Sequence, residues 1–484
     1  MVNRIPVPQA KYELLTTVRQ TNWKSPVVCL TFVFIVVGTL FAIRVCSDIL
    51  TPRNLETGPL LEVIITTEDA TIASWTRRAR MYAESSKENQ NADRNTTIVT
   101  SSSSFGSSPS SKILVCYYTL PRTMNTTKEL SPALIDPNIC THIIVGFASV
   151  VNSTLSLGAN TKIYYEISSL KKLQPKLKVM ISAGGINELT QGFPEMVKTH
   201  ANRKKFIRSV LNITKALNLD GLDVDWEFPA WLGNNERQKI WFVQLLQELR
   251  KEFDRSGRTL ILSAAVAAPP AIVDESYFVP NIAEHVDFIN LMAYDYHYYV
   301  WYLPVTGLNA PLYPRSSEMG YSATLNVNYS AHYWISKGMP CDKIVVGIPT
   351  YGHSYQLDNT ENHGIMAPAR GFGRLGVDGF VFYPMICWLL GIGGNKVYDE
   401  ESQAPYVYRY DEWISYEDEA SVTAKVEWIK ANDFRGAMIF SLNTDDWSGS
   451  CTNIDGTTNE TFPLTRILAN SLFSTQNRLT SPGL

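Results

Sequence analysis

The sequence predicts an α/β protein of parallel βα units, preceded by one membrane span and a serine-rich stalk. Three observations carry this reading. From Lys112 onward, short β-branched and aromatic runs alternate with amphipathic segments, the pattern of a parallel sheet covered by helices. Residues 25–43 hold no charge, and as a helix this stretch spans about 28 Å, close to the hydrocarbon thickness. Residues 44–111 show no sustained period and end in SSSSFGSSPSS, too poor in apolar groups to fold.

The first 24 residues carry Arg4, Lys11, Arg19 and Lys24, whereas Arg44 and Arg53 beyond the span are accompanied by Asp48 and Glu56. This asymmetry places the N-terminal tail in the cytoplasm and the rest outside or in a lumen, a type II arrangement. A cleaved signal peptide is the alternative; the long preceding region and the lack of a small-x-small site favour an uncleaved signal anchor. Six sequons, at Asn95, Asn125, Asn152, Asn212, Asn328 and Asn459, all lie beyond the span, where glycosylation takes place.

Eight runs then read as strands: KILVCYYT, THIIVGFASV, LKVMISAGG, LDGLDVDWE, TLILSAAV, FINLMAYD, KIVVGIPT and GAMIFSL. Segments 202–217, 236–253 and 417–431 have apolar residues at helical spacing. The chain from 474 on is read as a tail.

The chemistry concentrates in the fourth run. Asp223, Asp225 and Glu227 recur at every second position, so in a strand all three project from one face while Leu222, Val224 and Trp226 take the other. Desolvation and mutual repulsion make such a row costly to bury. The alternative is an edge strand with hydrated acids. The apolar opposite face, Gly221 at the start and Pro229 at the end suit instead a strand buried on both faces that opens into a loop.

Asp220, Asp223, Asp225 and Glu227 form DxxDxDxE, and with SAGG (182–185) and MAYD (292–295) the chain resembles glycoside hydrolase family 18, the chitinases and chitinase-like lectins. The resemblance covers 112–473. It implies a closed (β/α)8 TIM barrel with a small α+β insertion between strands 7 and 8, at about 352–412, and an active site at the C-terminal ends of the strands. It implies no cofactor and no metal.

In this family the substrate's own 2-acetamido oxygen attacks the anomeric carbon, so one protein acid suffices. The resemblance makes Glu227 the acid and base, has Asp225 orient the acetamido group while sharing a proton with Asp223, and has Tyr294 support the acetamido carbonyl. It implies sugar contacts from Tyr117, Gly184, Gly185, Phe228, Met292, Asp295, Tyr351 and Phe440. It also implies disulfides Cys116–Cys140 and Cys387–Cys451, which leaves Cys341 over.

The chain departs from the family at several points. Pro121, Ile186 and Phe440 stand where tryptophans are expected, His353 replaces an arginine, and Tyr298 replaces a glycine. The cleft therefore has less stacking surface. Binding of long chains should weaken more than acid catalysis.

A net charge of −3 with 18% charged residues excludes the basic balance of a nucleic-acid binder. The leading expectation is a membrane-anchored glycosidase acting on β-1,4-linked N-acetylglucosamine chains, chitin or chito-oligosaccharides. Its rival is a non-catalytic glycan-binding surface protein. An adhesion ectodomain comes third, since it gives no reason for Glu227 beside Asp225 and Tyr294.

Overall fold

The structure is a computed structural model and describes residues 112–121, 129–185, 191–451 and 460–474. The expected span and tail, the stalk to residue 111, the sequons at Asn95, Asn125 and Asn459, and Ile186 lie outside the described residues. Among the described residues no helix is long and apolar enough to cross a membrane.

All eight runs are strands. They are β1 (Ile113–Thr119), β2 (His142–Val151) with its short hairpin partner β3 (Thr154–Ser156), β4 (Lys178–Gly185), β5 (Gly221–Trp226), β6 (Ile261–Ala267), β7 (Phe288–Met292) and β8 (Ile344–Pro349). An insertion follows, with β9 (Tyr351–Leu357), β10 (Ala369–Gly371), β11 (Phe380–Phe382), β12 (Asn395–Asp399), β13 (Ala404–Arg409) and β14 (Glu412–Ser415), before β15 (Gly436–Phe440). Strand β1 pairs in parallel with both β2 and β15, so the eight parallel strands close into a barrel. Their near-continuous burial is what strands covered by helices outside and packed side chains inside require.

The helices are α1 (Thr161–Ser169), α2 (Phe193–Lys198), α3 (His200–Ala216), α4 (Arg237–Arg255), α5 (Pro270–Ser276), α6 (Val279–His285), α7 (Val327–Ser336), α8 (Tyr383–Gly391), α9 (Glu419–Ala431) and α10 (Pro463–Phe473). Their starts follow local chemistry. Thr199 accepts from the Asn202 amide, Asn326 from Tyr329, and Asp418 from Ser421, whose hydroxyl returns the bond to form a capping box. Residues 417 and 418, expected inside α9, are thus its lead-in and cap. On α4, Phe242, Leu245, Leu246, Leu249 and Phe253 are buried at helical spacing against the barrel.

The insertion is an antiparallel sheet in the order β10-β9-β14-β13-β12, with β11 also on β9. It begins one residue before and ends three residues after the expected 352–412, because Trp413, Ile414 and Ser415 pair with β9. One face buries Tyr355, Leu357, Tyr406 and Trp413; the other buries Val381, Val407 and Ile414 against Ile386 and Leu389 of α8. The disulfides Cys116–Cys140 and Cys387–Cys451 are formed, and Cys341 is a half-buried free thiol. The second disulfide fastens α8 at its middle.

Candidate active site

The register of β5 places the acids. Asp223 lies opposite Ser182 on β4 and Ser263 on β6, and Asp225 lies opposite Gly184. Both serines donate to Asp223: Ser182 Oγ to Oδ2 at 2.7 Å and Ser263 Oγ to Oδ1 at 2.7 Å. Tyr117 on β1 donates to Oδ2 at 2.8 Å, and Asn290 Nδ2 on β7 donates to Oδ1 at 3.1 Å. Four neutral donors thus fill the lone pairs of a fully buried carboxylate. Burial raises the Asp223 pKa, and these hydrogen bonds oppose the rise. A protonated Asp223 would have to release one of them.

Solvent access increases up the row. Asp223 is fully buried, Asp225 nearly so, and Glu227, one residue past β5, is half-buried with Phe228 beside it. The other face is apolar, as expected: Leu222, Val224 and Trp226 are buried, and Trp226 stacks on Phe193 with centroids 5.3 Å apart. Asp220 stays outside the site. It sits just before β5, bonded to Lys171 Nζ and the Val179 amide.

Gly184 and Gly185 have φ of 109° and 86°. A Cβ on Gly184 would collide with the backbone oxygen of Asp225, and one on Gly185 would lie 2.7 Å from the Phe147 ring. The glycines let β4 and Phe147 close on the acid row.

Phe440, at the end of β15, is the centre of an aromatic floor. Its ring lies 5.6 Å from Tyr117, 6.0 Å from Tyr294, 6.3 Å from Phe147 and 6.4 Å from Tyr351. Met292 is half-buried at the end of β7 and packs against the same cluster. Burial first, then the nearby carboxylates, push Tyr117 and Tyr294 well above the usual phenol range, so both stay protonated donors. For Tyr294 those carboxylates are Asp295, Asp225, Glu227 and Asp223. Tyr277 is raised in the same way, with Asp225 and Glu227 contributing.

Asp295 follows on the loop after β7 in a left-handed conformation, φ 59°. Its Oδ1 accepts from Tyr351 Oη and lies 2.8 Å from His353 Nε2. The His353 ring is buried, with Tyr298 5.7 Å away.

A family model described as glycosyl hydrolases family 18 matches residues 113–445. The chain belongs to glycosyl hydrolase family 18. It is 37% identical to mouse (Mus musculus) chitotriosidase-1 over 372 residues, 74% of this chain and 78% of that protein. An immunomodulatory active chitinase from Trichuris suis superposes with TM-score 0.69 at 33% identity, covering 75% of this chain and all of that one. Human YKL-39, described as a pseudo-chitinase with retained chitooligosaccharide binding properties, superposes with TM-score 0.69 at 35% identity over 75% of this chain and all of its own.

The family 18 barrel brings together the acid row, Tyr117, Gly184, Gly185, Met292, Tyr294, Asp295, Tyr351 and Phe440. Of these, Asp223 and Tyr117 form a deeply buried hydrogen-bonded pair, 0% and 1% exposed. Sequence reasoning missed Phe147, Ser263, Asn290 and Tyr277. Ser263 and Asn290 carried a signal, since each is a polar residue inside an otherwise apolar strand run. Phe147 and Tyr277 look like ordinary core residues in sequence.

Proposed function

We propose that this chain is a membrane-anchored glycosidase that hydrolyses β-1,4-linked N-acetylglucosamine chains by substrate-assisted, retaining catalysis. The observation that carries this reading is the complete acid row, with Asp223 held by four donors and Glu227 half-exposed at the barrel mouth. Glu227 donates its proton to the glycosidic oxygen as the bond to the anomeric carbon breaks and the acetamido oxygen attacks that carbon. Glu227 then takes a proton from the water that opens the oxazolinium ring. Because protonating Asp223 would displace a donor, the proton shared by the two aspartates sits on Asp225, which orients the acetamido group; Tyr294 donates to its carbonyl oxygen.

The chain sequence supports the placement. Residues 25–43 anchor it, 44–111 form the stalk, and the barrel faces the extracellular or lumenal side. Asn152, in the β2–β3 turn, and Asn212, on α3, are exposed where a glycan can attach, and Asn328 is half-exposed. Protease protection on microsomes tests the topology, and a barrel open to the cytosolic side would refute it.

The rival is glycan binding without turnover, the description attached to YKL-39, and the phenylalanine floor at Phe440 favours it. A panel of labelled chito-oligosaccharides decides. Product release by the wild type, lost in Glu227→Gln with binding retained, is expected. Binding without product over long incubation establishes the rival.

A further inference from the structure

Helix α8 is apolar where a surface helix is ordinarily polar. Phe382 (its N-cap), Met385, Trp388 and Ile392 are 42%, 40%, 55% and 39% exposed. Spacings of three, three and four put them on one side. Ile386 and Leu389, on the adjoining side, pack into the insertion core. No residue of α8 is charged, so a stripe of large apolar side chains faces solvent and calls for a partner.

The stripe begins at the cleft. Phe380 pairs with His353 and Phe382 with Tyr351 across β11 and β9, so all four share one face of the ribbon, while Val381 turns into the core. Phe380 stacks on Tyr351 at 4.1 Å and 24°, and Phe382 stands edge-on to Phe380 at 5.8 Å. Tyr351 in turn lies 6.1 Å from Tyr294 beside the acids. Rings therefore step from the acid row through Tyr294, Tyr351 and Phe380 to Phe382, and the stripe runs on along α8 for about 15 Å.

We propose that Phe382, Met385 and Trp388 form an outer track that holds the extension of a long N-acetylglucosamine polymer beyond the cleft. This rests on the proposed glycan substrate. Continuity with the cleft selects the occupant: neutral sugar faces stack on rings and thioethers without needing charge, and α8 supplies none. The disulfide Cys387–Cys451 keeps the track rigid. Residues 452–459, just past that bridge, include one large apolar residue, Ile454, which does not match four. A narrow strip also falls short of the roughly 800 Å² per partner of a stable protein interface.

The test measures binding of full-length protein in detergent to long chitin polymer and to the trisaccharide. In Phe382→Ser/Trp388→Ala, affinity for the polymer should fall about ten-fold while affinity for the trisaccharide is unchanged. Trp388→Phe should retain most of the polymer affinity, which separates stacking from misfolding. Equal polymer binding by wild type and the double variant overturns the track. So does finding that the double variant loses self-association or lipid-vesicle binding while keeping polymer binding. A wild type that binds neither sugar overturns the glycan reading itself, whereas one that binds the trisaccharide as well as the polymer overturns the track alone.

Discussion

The Tyr117 hydroxyl donates to Oδ2 of Asp223 at 2.8 Å across the barrel, although the two residues are 106 positions apart. Buried carboxylates are costly unless hydrogen-bonded, and this bond is one of four that make Asp223 tolerable. Tyr117→Phe keeps the ring against Phe440 and removes only the donor. Losing a bond to the charged form raises the Asp223 pKa further, and burial has already raised it. An acid whose folded pKa lies above its unfolded value contributes stability at low pH and loses it as pH rises through the folded pKa. The variant should therefore be destabilised by about 1–3 kcal/mol at neutral pH and by less in acid, as thermal melts at both pH values will show. A loss independent of pH counts against Asp223 as the cause. Any hydrolytic activity should also show its acid limb moved to higher pH.

Phe440→Trp tests the floor. The four surrounding rings lie 5.6 to 6.4 Å away, and Phe440 is half-buried, so an indole has an open side toward the cleft. Added stacking area should tighten binding of an acetylated trisaccharide about three- to ten-fold by calorimetry. Weaker binding together with a lower melting temperature would mean that the floor is overpacked instead.

Much of this was legible in sequence because it is local. The period-two acids and the strand runs each depend on a few neighbours, and the structure keeps them. The disulfide pairing came from the family resemblance, since spacing alone does not fix it. What stayed hidden depends on closure of the barrel. The donors to Asp223 come from β1, β4, β6 and β7, and only register and closure bring Tyr117 and Asn290 onto one carboxylate. The His353–Asp295 contact likewise joins the insertion to the loop after β7. The segment YPMICWLLG is uncharged throughout, and nothing in its pattern announces that one side of α8 faces solvent.

Acid should act on His142 and Asp445 in opposite directions. Burial first, then Arg435 and Lys178, lowers His142 from 6.5 to about 4. Its contribution is present above the unfolded value and is lost as pH falls through about 4. Burial raises Asp445 from 3.8 to about 6 against its bonds from Thr465. Its contribution is present below 3.8 and is lost as pH rises through about 6, a swing of about 3 kcal/mol. Relative to wild type, His142→Gln should gain stability at pH 4 compared with pH 7, and Asp445→Asn should lose it. Urea unfolding at the two pH values measures both differences. Shifts of the same sign in the two variants would refute the pairing.

Lys425 on α9 lies 2.6 Å from both carboxylate oxygens of Glu417, with side-chain exposures of 0% and 1%. Burial raises the Glu417 pKa and Lys425 opposes the rise. The pair joins the end of the insertion to the outer helix layer, where neither charge can reach water. Lys425→Met leaves a buried carboxylate with its cation gone, which should cost about 3–5 kcal/mol. The loss should shrink in acid, because an uncompensated Glu417 then takes up a proton. Adding Glu417→Leu removes the stranded charge, and packing apolar groups of similar size should recover most of the stability. Urea unfolding of the two single variants and the double variant gives the coupling directly. A double variant as unstable as Lys425→Met would show that the stranded Glu417 charge is not what destabilises the single variant.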